Sequence, residues 1–149
     1  MTRSMLLLLV FAANTAATSA QSASDSAGIR RAALDYIEGW YAGDAARMET
    51  ALHPELAKRI VSTDSTSSQS RIQQMSAMSL VQGTRSGGGK QTPREQQHKD
   101  VSILDIYRGA ASAKVVASDW IDYLHLARWN GRWVIVNVLW ELTPPRAER

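Results

Sequence analysis

The chain has 149 residues, 44% of them hydrophobic, with 17 basic and 14 acidic side chains and no cysteine. A net charge of +3 with no basic cluster excludes a nucleic-acid surface, and the lack of cysteine excludes disulfides and thiol chemistry. The length fits one domain whose stability must come from its apolar core.

Residues 1–20 read as an export signal. Arg3 supplies a positive start, Met5 to Phe11 form an apolar run, and Thr18-Ser19-Ala20 fits the small-x-small cleavage rule. The run is far shorter than the ~20 apolar residues that a spanning helix needs, so no stable membrane span is expected. Cleavage after Ala20, or next after Ala23, would leave a periplasmic or secreted chain of about 129 residues.

Ser26 is placed to cap a first helix in which Ile29, Ala33, Ile37, Trp40 and Tyr41 recur at helical spacing. Gly43 suits a left-handed stop, and Asp44 can cap a second helix from Ala45 to Leu52. His53 before Pro54 marks a corner, after which Pro54 can open a further short helix through Ile60. Ser62 to Ser70 is Ser/Thr-rich and reads as a surface loop, while Ile72 and Met75 fit either a short strand or a turn. Ser76 caps a helix from Ala77 to Arg85 that buries Leu80 and Val81, and Gly87-Gly88-Gly89 breaks it. Lys90 after a glycine raises the possibility of a phosphate loop, but Thr84 and Gln91 stand where glycine and Ser/Thr are required. A flexible linker through Lys99 is the expectation.

The remainder is strand. Residues 101–107 predict a strand covered on both faces, with a turn at Gly109 and a second strand from Ala111 to Ala117. A bend or tight hairpin near Ser118-Asp119 leads into Trp120 to Trp129, and Asn130-Gly131 joins it to Arg132 to Leu142 through a type I′ turn. Pro144-Pro145 ends the sheet, leaving residues 144–149 as a frayed tail. Helices first and antiparallel strands after predict an α+β domain over residues 26–143. Its helices pack on one face of a curved antiparallel sheet and leave a cone-shaped space that suits a ligand.

The segment Asp122-Tyr-Leu-His-Leu-Ala, its Asn-Gly-Arg-Trp hairpin and the following Val-Ile-Val-Asn-Val-Leu-Trp resemble the lumazine-binding-like branch of the nuclear-transport-factor-2-like superfamily. Tyr36-Ile-Glu-Gly-Trp-Tyr-Ala-Gly-Asp and Met48-Glu-Thr-Ala-Leu-His-Pro-Glu-Leu are similar to the same family's opening helices. The resemblance implies a cone-shaped fold, a pocket and often a homodimer through the sheet. It implies no particular chemistry, because the superfamily holds isomerases, cyclases, dehydratases and non-catalytic binders.

Strand alternation sorts the candidate residues. Trp120, Asp122, Leu124 and Leu126 share one face, and Asp119, Ile121, Tyr123 and His125 share the other. On the last strand Val134, Val136, Val138 and Trp140 oppose Trp133, Ile135, Asn137, Leu139 and Glu141. Asp122 among tryptophans is the candidate general base, as in the superfamily's isomerases, or else a structural carboxylate. His125 is either an acid–base partner or a half-buried histidine held by the backbone. Tyr36, Trp40, His53, Tyr123, Asn137 and Trp140 are the candidate ligand contacts. Each has a structural alternative in core packing, capping or sheet stitching. His53, Asp122 and His125 lack the spacing of a metal site, so neither metal nor cofactor is expected. The readings that follow are an exported small-molecule-binding or assembly domain, an isomerase-type enzyme using Asp122, or a homodimeric interaction module.

Overall fold

The computed structural model describes the backbone of residues 3–144 and the side chains of residues 22–144. The side chains of the expected export signal, and all of the tail beyond Pro144, lie outside what is so described.

Helix α1 (Arg3–Ala42) runs without a break through Ser26, which is therefore an interior residue and not a cap. The physical reason is the absence of any breaker between Gln21 and Gly28, a stretch rich in Ala and Ser. The helix ends where expected: Gly43 takes φ +68°, and the Asp44 amide bonds back to the Gly39 carbonyl at 2.9 Å. Asp44 then caps α2 (Ala45–Ala51) by accepting the Arg47 amide at 3.0 Å.

The expected helix from Pro54 to Ile60 is instead part of a long strand, β1 (Leu52–Thr63). Leu56, Lys58 and Ile60 point inward and are buried, so the strand has period two with a charged residue at a core position. That lysine hid the alternation, and Leu56 and Ile60 alone mimic a helical repeat. Asp64 closes the following turn with bonds from the Thr66 and Ser67 amides, and β2 (Ser70–Ser76) settles the Ile72 to Met75 stretch as strand. Ser76 caps α3 (Ala77–Arg85), which buries Leu80 and Val81.

The glycine-rich linker is packed. It forms two short 3-10 turns, Gly88–Gln91 and Arg94–Gln96, and Gly89 is buried against Trp40. A Cβ on Gly89 would collide with the Trp40 carbonyl oxygen, and one on Gly88 would lie 2.6 Å from the Trp40 ring. The glycines are there because the backbone and indole of Trp40 occupy the space a side chain would need.

The remaining strands are β3 (Asp100–Tyr107), β4 (Ala110–Val116), β5 (Trp120–Trp129) and β6 (Arg132–Leu142). Asn130 and Gly131 both take positive φ, as the type I′ hairpin requires. The sheet order is β2-β1-β6-β5-β4-β3. It is mixed rather than wholly antiparallel, because β1 runs parallel to β6. β3 is an edge strand with one open face, not two covered ones: Leu104 and Tyr107 are exposed. An irregularity between Ile103 and Asp105 breaks its alternation.

A second irregularity, in the β5–β6 pair, pairs His125 with Asn137 but Leu126 with Ile135. It turns Ile135 into the core together with Val138, so Trp133 and Ile135 leave the face they were expected to share with Asn137. The core lies between α1 (Ile29, Ala33, Tyr36, Ile37) and the inner sheet face (Ala113, Val115, Leu124, Leu126, Ile135, Val138). Among the described residues the three α-helices lie on that inner side, and the opposite sheet face is uncovered.

Candidate functional site

Where the helices diverge from the sheet they leave a cavity of about 520 Å³, within the usual range of small-molecule sites. Tyr36, Ile37 and Trp40 on α1 form one wall, and Leu80 and Gly83 on α3 another. Lys58, Ile60 and Met75 from β1 and β2 complete it with Trp120, Trp140 and Leu142 from β5 and β6. Asp119, Gln73 and Ser79 add polar groups.

Beneath the cavity lies a buried ion pair. Asp122 is wholly inaccessible to solvent. Its Oδ1 accepts a bond from Lys58 Nζ at 2.6 Å, and its Oδ2 accepts from Trp120 Nε1 at 2.7 Å and from the Tyr36 hydroxyl at 3.1 Å. Lys58 Nζ also donates to the Tyr36 oxygen at 2.6 Å, closing a three-residue ring of hydrogen bonds. The ammonium lies 4.8 Å from the Trp140 ring centre and 5.9 Å from that of Trp120.

The register explains the meeting. Lys58 pairs with Val138 on one side of β6, and Asp122 pairs with Trp140 on the other, so inward side chains two residues apart on β6 are flanked by opposite charges. Burial lowers the pKa of Lys58, with the Asp122 charge opposing that shift. Burial, and then the neighbouring Asp122 charge, raises that of Tyr36 well above the ordinary phenol value. Lys58 has three N–H donors, of which Asp122 and Tyr36 take two. The Trp140 indole N–H is buried without a hydrogen-bond partner among the described residues.

Of the residues singled out from sequence, Tyr36, Trp40 and Trp140 line the cavity, and Asp122 stands behind it. His125, Tyr123 and Asn137 are on the opposite, open face of the sheet, because they sit one residue out of phase with Asp122 and Val138. His125 therefore cannot act with Asp122. It bonds Asn137 at 3.2 Å, Asn137 accepts from Arg59 at 3.0 Å, and Arg59 reaches Gln74 at 2.9 Å. His53 is also away from the cavity: its ring stands edge-on to Trp129 at 4.7 Å, and its Nδ1 accepts the Glu55 amide. His53, Asp122 and His125 thus occupy three separate environments, and no metal cluster forms among the described residues.

Lys58 is the residue that sequence reasoning missed. The inward phase of Leu56-Ala57-Lys58-Arg59-Ile60 was available as its signal, once the segment is recognised as strand.

Residues 24–141 match the family described as "Putative lumazine-binding". No curated protein matches the chain significantly. Among solved structures, an NTF2-like protein of unknown function from Shewanella baltica is 18% identical with a TM-score of 0.62, covering 82% of this chain and 96% of its own. An NTF2-like protein with a cystatin-like fold from Novosphingobium aromaticivorans is 11% identical with a TM-score of 0.64, covering 90% of this chain and 92% of its own. A ketosteroid isomerase-like protein from Erwinia carotovora is 12% identical with a TM-score of 0.50, covering 80% and 96%. At such identities these neighbours speak to fold alone, which is that of the NTF2-like proteins, whereas the family match spans most of the sequence: the chain belongs to the family described as lumazine-binding.

Proposed function

We propose that this is an exported small-molecule-binding domain whose ligand occupies the cavity between α1, α3 and the sheet. The observation that carries this reading is an apolar cavity of about 520 Å³ floored by a charge pair that neutralises itself. Asp122 already accepts three hydrogen bonds from side chains and does not reach the cavity surface, which opposes its direct use as a general base on a bound ligand. An anionic ligand would leave net negative charge in an apolar space, so the site suits an uncharged, largely apolar molecule. An acceptor oxygen on that molecule can meet the remaining Lys58 N–H. A flat heterocycle bearing carbonyl oxygens, as the family's description suggests, has this chemistry.

Thermal-shift measurements on the mature chain with lumazine, flavins, steroid ketones and simple aromatic amides test the reading. Stabilisation by at least one uncharged ligand is the expected result. No shift with any of them, together with a cavity found closed by side chains in a crystal structure, would overturn it. Export is tested by cell fractionation with N-terminal sequencing: a chain retained in the cytoplasm with Met1 intact counts against it.

A second reading, homodimerisation through the sheet, is favoured by the open face. Val61, Ile72, Tyr123 and Leu139 are all exposed there, on four adjacent strands. Analytical ultracentrifugation should show a dimer at micromolar concentration, and Leu139→Asp should yield a monomer. A wild-type monomer across that range rejects this reading.

A further inference from the structure

Lys58 is a buried amine in the wall of a cavity, and noncovalent binding makes no use of its nucleophilicity. Three features around it go together. Its side chain is only 6% exposed, yet it lines the cavity, so a bound molecule meets the amine without bulk water. Behind it stands a carboxylate at 2.6 Å, and beside it a phenol oxygen at 2.6 Å. The walls near it are indole rings, which can carry a flat ligand.

We propose that Lys58 captures the aldehyde or ketone group of a cavity-bound molecule as a reversible imine. The inference rests on the small-molecule-binding reading above, since the carbonyl compound must enter the cavity.

The groups present account for every proton. The Lys58 ammonium passes one proton to Asp122 and becomes a free amine. The Nζ lone pair forms a bond to the carbonyl carbon, and the C=O π pair moves onto oxygen. Tyr36 hands its hydroxyl proton to that oxygen and takes one from the nitrogen, giving a neutral carbinolamine. Asp122 returns its proton through Tyr36 to the carbinolamine hydroxyl, the C–O bond breaks, and water leaves as the nitrogen lone pair closes the C=N bond. The net change is ammonium plus carbonyl to iminium plus water, with one positive charge on each side. The iminium stays opposite the Asp122 carboxylate, and water reverses the sequence.

Two shifts in proton affinity agree with these roles. Burial lowers the pKa of Lys58, so its amine is released more readily than that of an exposed lysine. Burial raises that of Tyr36, so the phenol remains protonated and relays a proton without holding a charge. None of the other three lysines is buried at the cavity with such partners: Lys90 and Lys99 are exposed, Lys99 beside Glu38, and Lys114 lies over Tyr123 on the open face of the sheet.

The test is reductive trapping. Folded full-length protein is incubated with benzaldehyde or 2-naphthaldehyde and sodium cyanoborohydride near neutral pH, then digested and mapped by mass spectrometry. Lys58 should carry the reduced adduct roughly ten-fold above Lys90 and Lys99. The preference should vanish when the labelling is done in concentrated urea, a control that does not depend on any variant folding. Lys58→Arg should lose the adduct while keeping surface labelling. Adducts on Lys90 and Lys99 with Lys58 unmodified in the folded protein would overturn the proposal. Benzyl alcohol and 2-naphthylmethanol separate the two claims. If either alcohol raises the melting temperature and no aldehyde adduct forms on Lys58, the imine is rejected and binding stands. If neither alcohol shifts the melting temperature and no adduct forms, the imine is rejected and cavity binding loses support as well.

Discussion

Lys58 and Asp122 are 64 residues apart in sequence and 2.6 Å apart in the fold, joined across β6 by a salt bridge that solvent barely reaches. A buried pair of this kind adds little stability over well-packed apolar side chains, but either partner alone is an uncompensated charge. Asp122→Ala should therefore lose about 3–5 kcal/mol. For a domain of this size that lowers the melting temperature by roughly 10–20 °C. Lys58→Met combined with Asp122→Leu should recover most of it, measured by urea and thermal unfolding. A loss under about 1 kcal/mol for Asp122→Ala would show that the pair is not buried in solution.

The pKa of Tyr36 is raised in the fold, so the native state holds a proton that the unfolded chain releases above about pH 10. The sign follows. The contribution of Tyr36 is complete below pH ~10 and is lost as pH rises towards its folded value. Lys58 acts oppositely, because its lowered value means that the unfolded chain holds the extra proton up to its ordinary pKa; its contribution rises with pH through that window. Phenolate absorbance should show a tyrosine that titrates only when the protein unfolds. Tyr36→Phe should remove that late titration.

Gly89→Ala should destabilise the domain although the position looks like linker. The added methyl meets the Trp40 backbone, which cannot swing aside as a side-chain end could. A loss of about 1–3 kcal/mol is expected from overpacking. Gly109→Ala, whose methyl meets only the Arg128 side chain at 3.8 Å, is the comparison. Equal stabilities of the two variants would refute the packed arrangement.

Met75→Trp should fill the cavity from β2. Met75 is half-buried at the wall, so the larger ring can extend inward without displacing the ion pair. Ligand-induced thermal shifts should disappear while the unliganded melting temperature changes by only a few degrees. Retained shifts would place the ligand elsewhere.

Local signals settled much of the framework. Gly43 and Asp44 supplied a stop and a cap, Ser76 another cap, and Asn130-Gly131 the hairpin, because each is a short-range backbone preference that needs no distant partner. Alternation within β5 also separated Asp122 from Tyr123 and His125, which the hairpin register preserves.

Only the tertiary structure decided what surrounds Asp122. Lys58 looks like a solvated charge within a proline-led helix until β1 pairs with β6, a contact between segments some eighty residues apart. The polar glycine-rich stretch looks like linker until Trp40 lies across it. Ile135 looks outward-facing until the irregularity opposite His125 and Leu126 turns it inward. Each decision depends on long-range packing, and a charge placed on the inner side of a strand declares itself only when the opposite charge arrives beside it.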